Sequence, residues 1–149
     1  MKKFNLAFII FIIAVFFVSP PAFAVDIHVK GKVARVRSGP GTNYNVLWES
    51  LRYTPFEFLA KYRKWYAVRD FEGDVGWVHE QVIGKGKGAI VTTKRANIRK
   101  GPGPKNEKVF AVTRGYVFKI LGKKGEWYKV QDVDGLKGWV HEKLVWVSR

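Results

Sequence analysis

The sequence predicts an all-β protein made of two tandem copies of one small β-barrel behind an N-terminal signal peptide. Three observations support this fold class. Three motifs recur at one constant spacing, the segments between them read as short strands, and the chain opens on a short apolar run. We therefore divide the 149 residues into a signal peptide (1–24), a first repeat (25–83), a linker (84–88) and a second repeat (89–149).

The first 24 residues have the organisation of a secretory signal peptide. A basic start precedes an apolar run over 6–18, and the small residues Ala22 and Ala24 favour cleavage before Val25. The run is shorter than the ~20 residues that a membrane-spanning helix needs. The sequence contains no cysteine that a lipid anchor could use. We therefore expect an exported product, periplasmic or extracellular, with no stable membrane anchor.

The charge of the chain is strongly positive and unevenly placed. The formal net charge is +15, and a mature chain that starts at Val25 keeps +13. The first repeat carries +2 and the second repeat carries +9. This asymmetry favours anionic partners, mainly through the second repeat. The absence of cysteine excludes disulfides and thiolate chemistry, so we expect the 15% aromatic content to stabilise these small domains.

The internal repeat decides the architecture. The Arg-x-Gly-Pro-Gly motif, the Trp-Tyr-x-Val motif and the Gly-Trp-Val-His-Glu motif each occur twice. The matching segments are 37–41 and 99–103, 65–68 and 127–130, and 76–80 and 138–142. Each pair is separated by 62 positions, so the two copies align without a gap. Two copies of one structural module are the simplest interpretation.

Short strands are predicted inside each copy. Segments 46–48, 56–59 and 65–69 are rich in aromatic and β-branched residues and are separated by turn residues. The segments 70–74 and 132–135 are typical of hairpin turns, because each contains aspartate and a glycine that tolerates positive φ. Strands this short, packed into about sixty residues, favour a small closed or nearly closed barrel.

In their order, the three motifs resemble those of bacterial SH3-like (SH3b) domains arranged in tandem. The resemblance covers nearly all of the mature chain. It implies a five- or six-stranded barrel in each copy and, for many members, cell-wall or peptide binding. The second copy departs from the first in one loop, where Pro104 and Asn106 replace Thr42 and Tyr44. We therefore do not expect a groove formed partly by this loop to be identical in the two copies.

Alternation along the strands selects the candidate ligand-binding residues. Tyr66 and Val68 are expected to face inward, whereas Trp65 shares the outer face with Arg69. Tyr44 follows a turn and has no core role that periodicity explains. The candidates are Tyr44, Trp65, Trp77, His79, Lys100, Lys105, Trp127, Trp139 and His141. The alternative is that loops of the barrel fold over the tryptophans and bury them.

The motifs of common enzymes are missing from the sequence. His79 and His141 lack the second histidine four positions on that a zinc-protease helix carries, and each recurs with a whole motif, which indicates a role in the fold. No mature serine lies in a Gly-x-Ser-x-Gly context, and the Gly-Pro-Gly turns lack the lysine of a phosphate-binding loop. We expect no enzymatic activity, no cofactor and no bound metal.

Three functions remain open at this point. The leading hypothesis is a non-catalytic exported module that recognises peptidoglycan or another anionic cell-envelope component through stacking aromatics and steering lysines. The alternative is a protein–protein adaptor that binds an extended peptide of a periplasmic or secreted partner. A purely structural tandem, whose outer tryptophans pack across the repeat interface, is the third. Nucleic acid is not an expected partner of an exported protein.

Overall fold

The computed structural model describes residues 26–148. The predicted signal peptide and its cleavage site lie outside the described residues, so they stay predictions. Within the described range, none of the secondary-structure elements is a helix with the length and apolar character needed to cross a bilayer.

The described residues form strands and two short 3₁₀ turns. The first domain contains β1 (Ile27–Val29), β2 (Val33–Arg37), β3 (Val46–Leu51), β4 (Pro55–Tyr62), β5 (Trp65–Arg69), β6 (Val75–His79), a 3₁₀ turn (Glu80–Val82) and β7 (Ile83–Lys85). The second domain contains β8 (Gly88–Val91), β9 (Arg95–Arg99), β10 (Lys108–Thr113), β11 (Val117–Lys124), β12 (Trp127–Gln131), β13 (Lys137–His141), a 3₁₀ turn (Glu142–Leu144) and β14 (Val145–Trp146).

The two domains have the same antiparallel topology. The strand order is β3-β2-β6-β5-β4-β1-β7 in the first sheet and β10-β9-β13-β12-β11-β8-β14 in the second. Corresponding strands of the two motif-bearing hairpins, such as β5 and β12, begin 62 positions apart. The all-β fold class and the tandem duplication are therefore confirmed.

Each sheet curls around its own core because its longest strand is bulged. The pairing register shifts between Phe58 and Ala60 in β4 and at the equivalent place, between Ile120 and Gly122, in β11. A bulge bends a strand and increases its twist, so one strand can pair on both of its edges around a small barrel. The fully buried side chains that fill the two barrels occupy equivalent positions: Val36, Phe56, Val68 and Val78, and Ile98, Phe118, Val130 and Val140.

An aspartate shapes the predicted hairpin turn in both domains. The Asp70 carboxylate accepts hydrogen bonds from the backbone N–H groups of Glu72 and Asp74, both at 2.9 Å. Asp132 makes the equivalent pair of bonds in the second domain. It is only 1% exposed, and its second carboxylate oxygen accepts a hydrogen bond from the Tyr116 hydroxyl at 3.1 Å.

The domain junction is short and closely packed. Strands β7 and β8 extend into the segment 84–88 that was predicted to be a linker. The buried His28 ring donates a hydrogen bond from Nδ1 to the Gly86 carbonyl oxygen at 3.0 Å. A side chain at Gly88 would collide with the backbone carbonyl of Tyr53, so glycine is required for the two domains to approach this closely. The domain boundaries proposed from the sequence stay predictions.

Candidate functional site

The outer face of the β5–β6 hairpin carries the predicted aromatic residues. Trp65 lies opposite His79, and Ala67 lies opposite Trp77, in the antiparallel register. Because side chains alternate along a strand, these four residues share one face of the sheet. Val68 points to the other face and is fully buried, as predicted.

Trp65 and His79 form a fixed aromatic corner. Their ring centroids are 5.1 Å apart, and the rings meet edge to face at 80°. The His79 Nδ1 atom accepts a hydrogen bond from the Gln81 backbone N–H at 3.3 Å, which caps the 3₁₀ turn. In the neutral ring, the proton therefore resides on Nε2. Both side chains are half-buried, so the tryptophan is neither a core residue nor fully exposed.

An arginine brace holds the loop beside this corner. Arg37 Nη1 donates to the carbonyl oxygens of Thr42 and Tyr44, at 3.2 and 2.8 Å. The Tyr44 ring lies directly against Gly39, where any Cβ atom would collide with it. The Arg-x-Gly-Pro-Gly motif thus supplies both the brace and the open backbone on which the loop side chain packs.

The corner, the brace and the neighbouring strands enclose a groove of about 590 Å³, which we name the Trp65 groove. This volume lies within the range of small-ligand sites. Its lining residues are Val33, Arg35, Arg37, Thr42, Glu49, Trp65, His79, Gln81 and Val82. An exposed ion pair between Arg35 Nε and Glu49 Oε1, at 3.1 Å, lies among them. The groove therefore combines one aromatic wall with planar polar groups.

The structure brings together only some of the predicted site residues. Trp65 and His79 meet in the groove, and Thr42 forms its loop side. Tyr44 packs on the turn, is 42% exposed and is not among the lining residues of the groove. Trp77 is half-buried on the same sheet face, two cross-strand pairs away from Trp65.

Several groove residues were missed by the sequence reasoning. Arg35 and Glu49 lie on the paired strands β2 and β3, and Gln81 lies in the 3₁₀ turn. Their side chains line the same groove as Trp65 because β2, β3 and the end of β6 converge in the folded sheet. The one available signal was Arg37, which recurs as Arg99, two positions before the first glycine of each Gly-Pro-Gly turn.

The second domain repeats the aromatic corner. Trp127 and His141 have ring centroids 5.1 Å apart and meet at 84°, and His141 Nδ1 accepts from the Lys143 backbone N–H at 3.2 Å. Arg99 Nη1 donates to the Asn106 carbonyl oxygen at 2.8 Å and so repeats the brace. The corner and the brace therefore belong to the shared framework of the two domains.

The residues that surround the Trp127–His141 pair differ from those that surround the Trp65–His79 pair. At the positions of Arg35, Thr42, Glu49 and Gln81, the second domain has Asn97, Pro104, Ala111 and Lys143. A cavity on the equivalent strands measures about 150 Å³ and is lined by Arg95, Ala111, Val112 and Thr113. Trp139 is half-buried opposite Lys129, like Trp77 in the first domain. The aromatic corner is thus common, whereas its polar surroundings are specific to each domain.

The two predicted lysines lie away from the Trp65 groove, on the braced loop of the second domain. Lys100 Nζ pairs with Glu107 Oε2 at 2.7 Å, and both side chains are mainly exposed. Lys105 is exposed in the same loop. These lysines add to the positive field of the second domain but do not meet Trp65 and His79.

A lysine–glutamate–tyrosine cluster recurs on the surface of both domains. Lys61 Nζ lies 3.0 Å from Glu80 Oε2 and 5.0 Å from the Tyr66 ring centroid. The hydrogen bond to Lys61 lowers the pKa of Glu80, and the same bond raises the pKa of Lys61. The second cluster contains Lys123, Glu142 and Tyr128. Glutamate and lysine are already ionised near neutral pH, and these shifts move their pKa values further from it, which suits surface ion pairs rather than acid–base catalysis.

Three carboxylates meet on the β5–β6 turn, from Asp70, Glu72 and Asp74. Asp70 already holds the turn through its two backbone hydrogen bonds. Glu72 Oε1 accepts a hydrogen bond from Arg114 Nη2 of the second domain at 2.8 Å. The carboxylates of Asp70 and Glu72 therefore have structural partners, and we assign no metal to this cluster.

Comparison with known families accounts for this duplicated framework. Residues 30–85 match a family described as a bacterial SH3 domain, and residues 94–145 match a second family of the same description. The chain is a tandem bacterial SH3 domain protein. Each match spans the braced loop, the aromatic corner and the 3₁₀ turn of one domain, so the residues that build the site are part of the SH3 domain itself.

One curated relative and several solved structures are similar to the chain. A Bacillus subtilis (strain 168) protein, named as the N-acetylmuramoyl-L-alanine amidase YrvJ, is 24% identical over 160 residues; the match covers 95% of this chain and 31% of that protein. NlpC2 from Trichomonas vaginalis shares 12% identity at a TM-score of 0.37, covering 83% of this chain and 48% of that one. An NlpC/P60 family protein from Bacillus cereus ATCC 10987 shares 14% at 0.39, covering 83% and 56%. The SH3 tandem thus spans about a third of the curated relative and about half of these solved chains.

Proposed function

We propose that this protein is a non-catalytic, exported binding protein that recognises peptidoglycan through the Trp65 groove of its first SH3 domain. The observation that carries the proposal is the fixed pair of Trp65 and His79 at 5.1 Å beside the polar side chains of Arg35, Glu49 and Gln81. Rigid aromatic surface next to a few placed polar groups is the usual design of a small-ligand site.

The groove chemistry suits a sugar with an attached short peptide. A sugar ring can stack on the apolar face of Trp65, while its hydroxyls exchange hydrogen bonds with Glu49 and Gln81. Arg35 is paired with Glu49 at 3.1 Å in an exposed position, so the pair can open toward a ligand carboxylate at small cost. A glycan strand that carries carboxylated peptides offers both kinds of group.

The uneven charge supports the same partner. The second SH3 domain carries +9 against +2 for the first. Its lysines attract an anionic polymer without specific contacts, and the first domain then selects the ligand in its groove. The charge and the groove therefore have separate roles in this proposal.

The curated relative supports the choice of ligand. Its name refers to N-acetylmuramoyl-L-alanine, a sugar joined by an amide to an amino acid. The match covers 95% of the present chain, so both SH3 domains correspond to part of that protein. We propose a periplasmic or extracellular location for the present protein on this basis and on the predicted signal peptide.

The proposal is tested by sedimentation of the mature protein with purified, protein-free peptidoglycan. Truncation of a stacking aromatic at a binding site typically costs about 2 kcal/mol, so we expect Trp65→Ala to weaken binding roughly 30-fold. Trp127→Ala removes the equivalent side chain from the second domain and serves as the matched control. It should change binding less than threefold.

Thermal unfolding separates a lost contact from a lost fold. Trp65 is half-buried, so Trp65→Ala should leave a cooperative transition in each domain. Equal binding by Trp65→Ala and wild type, with both folded, would show that the groove is not the site. Absence of wild-type binding to peptidoglycan would favour the alternative function, an adaptor for a peptide of an envelope protein.

A further inference from the structure

A contact of Arg114 joins the two SH3 domains. Arg114, in the β10–β11 turn, donates from Nη2 to Glu72 Oε1 at 2.8 Å, and its guanidinium carbon lies 5.2 Å from the Phe71 ring centroid. Its Nη1 donates to the Thr92 carbonyl oxygen at 2.6 Å, which holds the guanidinium in place. Arg114 thus contacts both Phe71 and Glu72, which are consecutive residues of the β5–β6 turn.

A neighbouring part of the domain interface carries the equivalent residues without that contact. By the 62-residue offset, Arg52 corresponds to Arg114, and Val133 corresponds to Phe71. Arg52 and Val133 line one cavity of about 670 Å³ between the domains. The smaller Val133 is 52% exposed, and Leu51 beside Arg52 is 59% exposed. Phe71 lines a neighbouring cavity of about 450 Å³ between the domains, whereas Val133 lines this larger one.

We name this cavity the interdomain groove, and its lining is apolar with a cationic rim. The lining residues are Lys32, Leu51, Arg52, Thr113, Arg114, Gly115, Tyr116, Val117 and Val133. Between residues 26 and 148, no carboxylate forms an ion pair with Lys32 or Arg52. Arg114, in contrast, is already engaged by Glu72. Two cations of the rim are therefore available to an anionic ligand.

We propose that the interdomain groove binds an acidic peptide segment of a partner protein. An apolar or aromatic side chain of the peptide enters between Leu51 and Val133, and the adjacent carboxylate binds Arg52 and Lys32. The contact of Arg114 with Phe71 and Glu72 shows, within the same molecule, that such a pair of side chains suits this interface. Arginine binds carboxylates through two parallel N–H groups, which favours a carboxylate partner.

A peptide fits this groove better than a sugar. Leu51, Val117 and Val133 offer no hydrogen-bonding side chains, so sugar hydroxyls placed against them would lose their water without replacement. An apolar side chain gains free energy from the same surroundings. This site is separate from the Trp65 groove, and it adds a protein partner to the proposed recognition of peptidoglycan.

The experiment is a titration of the ¹⁵N-labelled mature protein with an acetylated and amidated peptide that copies residues 70–74, Asp-Phe-Glu-Gly-Asp. We expect saturable shifts at the amides of Leu51, Arg52 and Val133, with a Kd below about 1 mM. A peptide with serine in place of the phenylalanine has the same charge and should bind at least fivefold more weakly.

Variants of the protein distinguish specific binding by Arg52 and Lys32 from a general attraction between the cationic protein and the acidic peptide. Arg52→Gln should weaken peptide binding about tenfold, because it removes the main carboxylate partner. Lys32→Gln should weaken it less, by about threefold. Lys94→Gln is the matched control, since Lys94 is the equivalent of Lys32 in the second domain, is exposed and lies outside the groove lining. It should bind the peptide as wild type does.

A filled groove provides the complementary test. The double variant Val133→Phe with Asp134→Glu places the Phe-Glu sequence of the β5–β6 turn on the exposed β12–β13 turn beside the groove, and it should abolish peptide binding in a folded protein. Three results would overturn the proposal: no saturable shifts up to about 1 mM peptide, shifts confined to the Trp65 groove, or unchanged affinity of Arg52→Gln. Shifts of the same amides that depend on protein concentration alone would identify a second copy of this chain as the occupant and would also overturn it.

Discussion

Removal of the Tyr116 hydroxyl tests how the second SH3 domain is stabilised. Tyr116→Phe keeps the ring, whose centroid lies 5.0 Å from that of Phe118, and deletes one hydrogen bond of 3.1 Å to Asp132. Asp132 is 1% exposed, so water does not replace the lost donor. Hydrogen bonds to charged groups contribute about 1.5–3 kcal/mol, and an unsatisfied buried acceptor adds to the loss. We expect the second domain to lose about 2 kcal/mol of stability.

The control and the assay resolve the two domains. Tyr66→Phe also deletes a hydroxyl, but this one receives only an exposed 3.5 Å hydrogen bond from Lys61, so we expect less than about 0.5 kcal/mol. Native-state hydrogen exchange of the core amides reports each domain separately. In Tyr116→Phe, exchange should accelerate at Val130 and Val140 by about 30-fold, which corresponds to about 2 kcal/mol, and remain unchanged at Val68.

The pH dependence gives a second, independent signature. Burial raises the pKa of Tyr116 above its ordinary value of 10.0, and the charge of Asp132 raises it further. The folded state thus holds the phenolic proton more tightly than the unfolded state does. The resulting stability is fully present below pH 10 and is lost as the pH rises above 10 through the folded pKa. Tyr116→Phe lacks this titrating group and should be less sensitive to pH in that window.

Equal exchange rates in wild type and Tyr116→Phe would contradict this prediction. An equal loss of protection in the first domain would also contradict it, because the two cores are separate clusters. A Tyr116→Phe protein whose stability falls as steeply as wild type above pH 10 would show that another group titrates there.

Two further predictions concern the domain interface and the charge. Arg114→Gln removes the contact with Glu72 and Phe71, so the two domains should tumble more independently. ¹⁵N relaxation should then show a shorter rotational correlation time for each domain. Arg63→Gln, which changes a loop arginine outside this interface, is the control. Replacing the second-domain lysines 105, 108 and 119 by glutamine should weaken peptidoglycan sedimentation at low salt more than the same change at 30, 32 and 64 in the first domain. The difference should vanish near 1 M salt, where the Debye length is about 3 Å.

The fold was largely predictable because the repeat is exact in length. A constant offset of 62 positions identified the duplication, and the alternation around Trp65 placed Val68 in the core. The short strands β1 and β7 were not predicted. Each has three residues, which is too few for a periodic pattern, and they are strands because β1 pairs with both β4 and β7.

The candidate site was predictable only in part. Trp65 and His79 lie opposite each other in one hairpin, so a local pattern was sufficient to place them together. Glu49 reaches the groove through the pairing of β3 with β2, which connects residues distant along the chain. Tyr44 packs on Gly39, five positions earlier, through a loop conformation that alternation does not describe.

The arginine brace anchors the loop after β2 and the loop after β9 in the same way. Segments 38–45 and 100–107 have the same length, and each is held at its base by an arginine that donates to a loop carbonyl oxygen at 2.8 Å. The loop sequence can therefore vary while both anchor points stay fixed. A chimera with segment 38–45 transplanted onto the second barrel would retain the chain length and the brace, so loop grafting offers a direct way to give this scaffold new binding specificities.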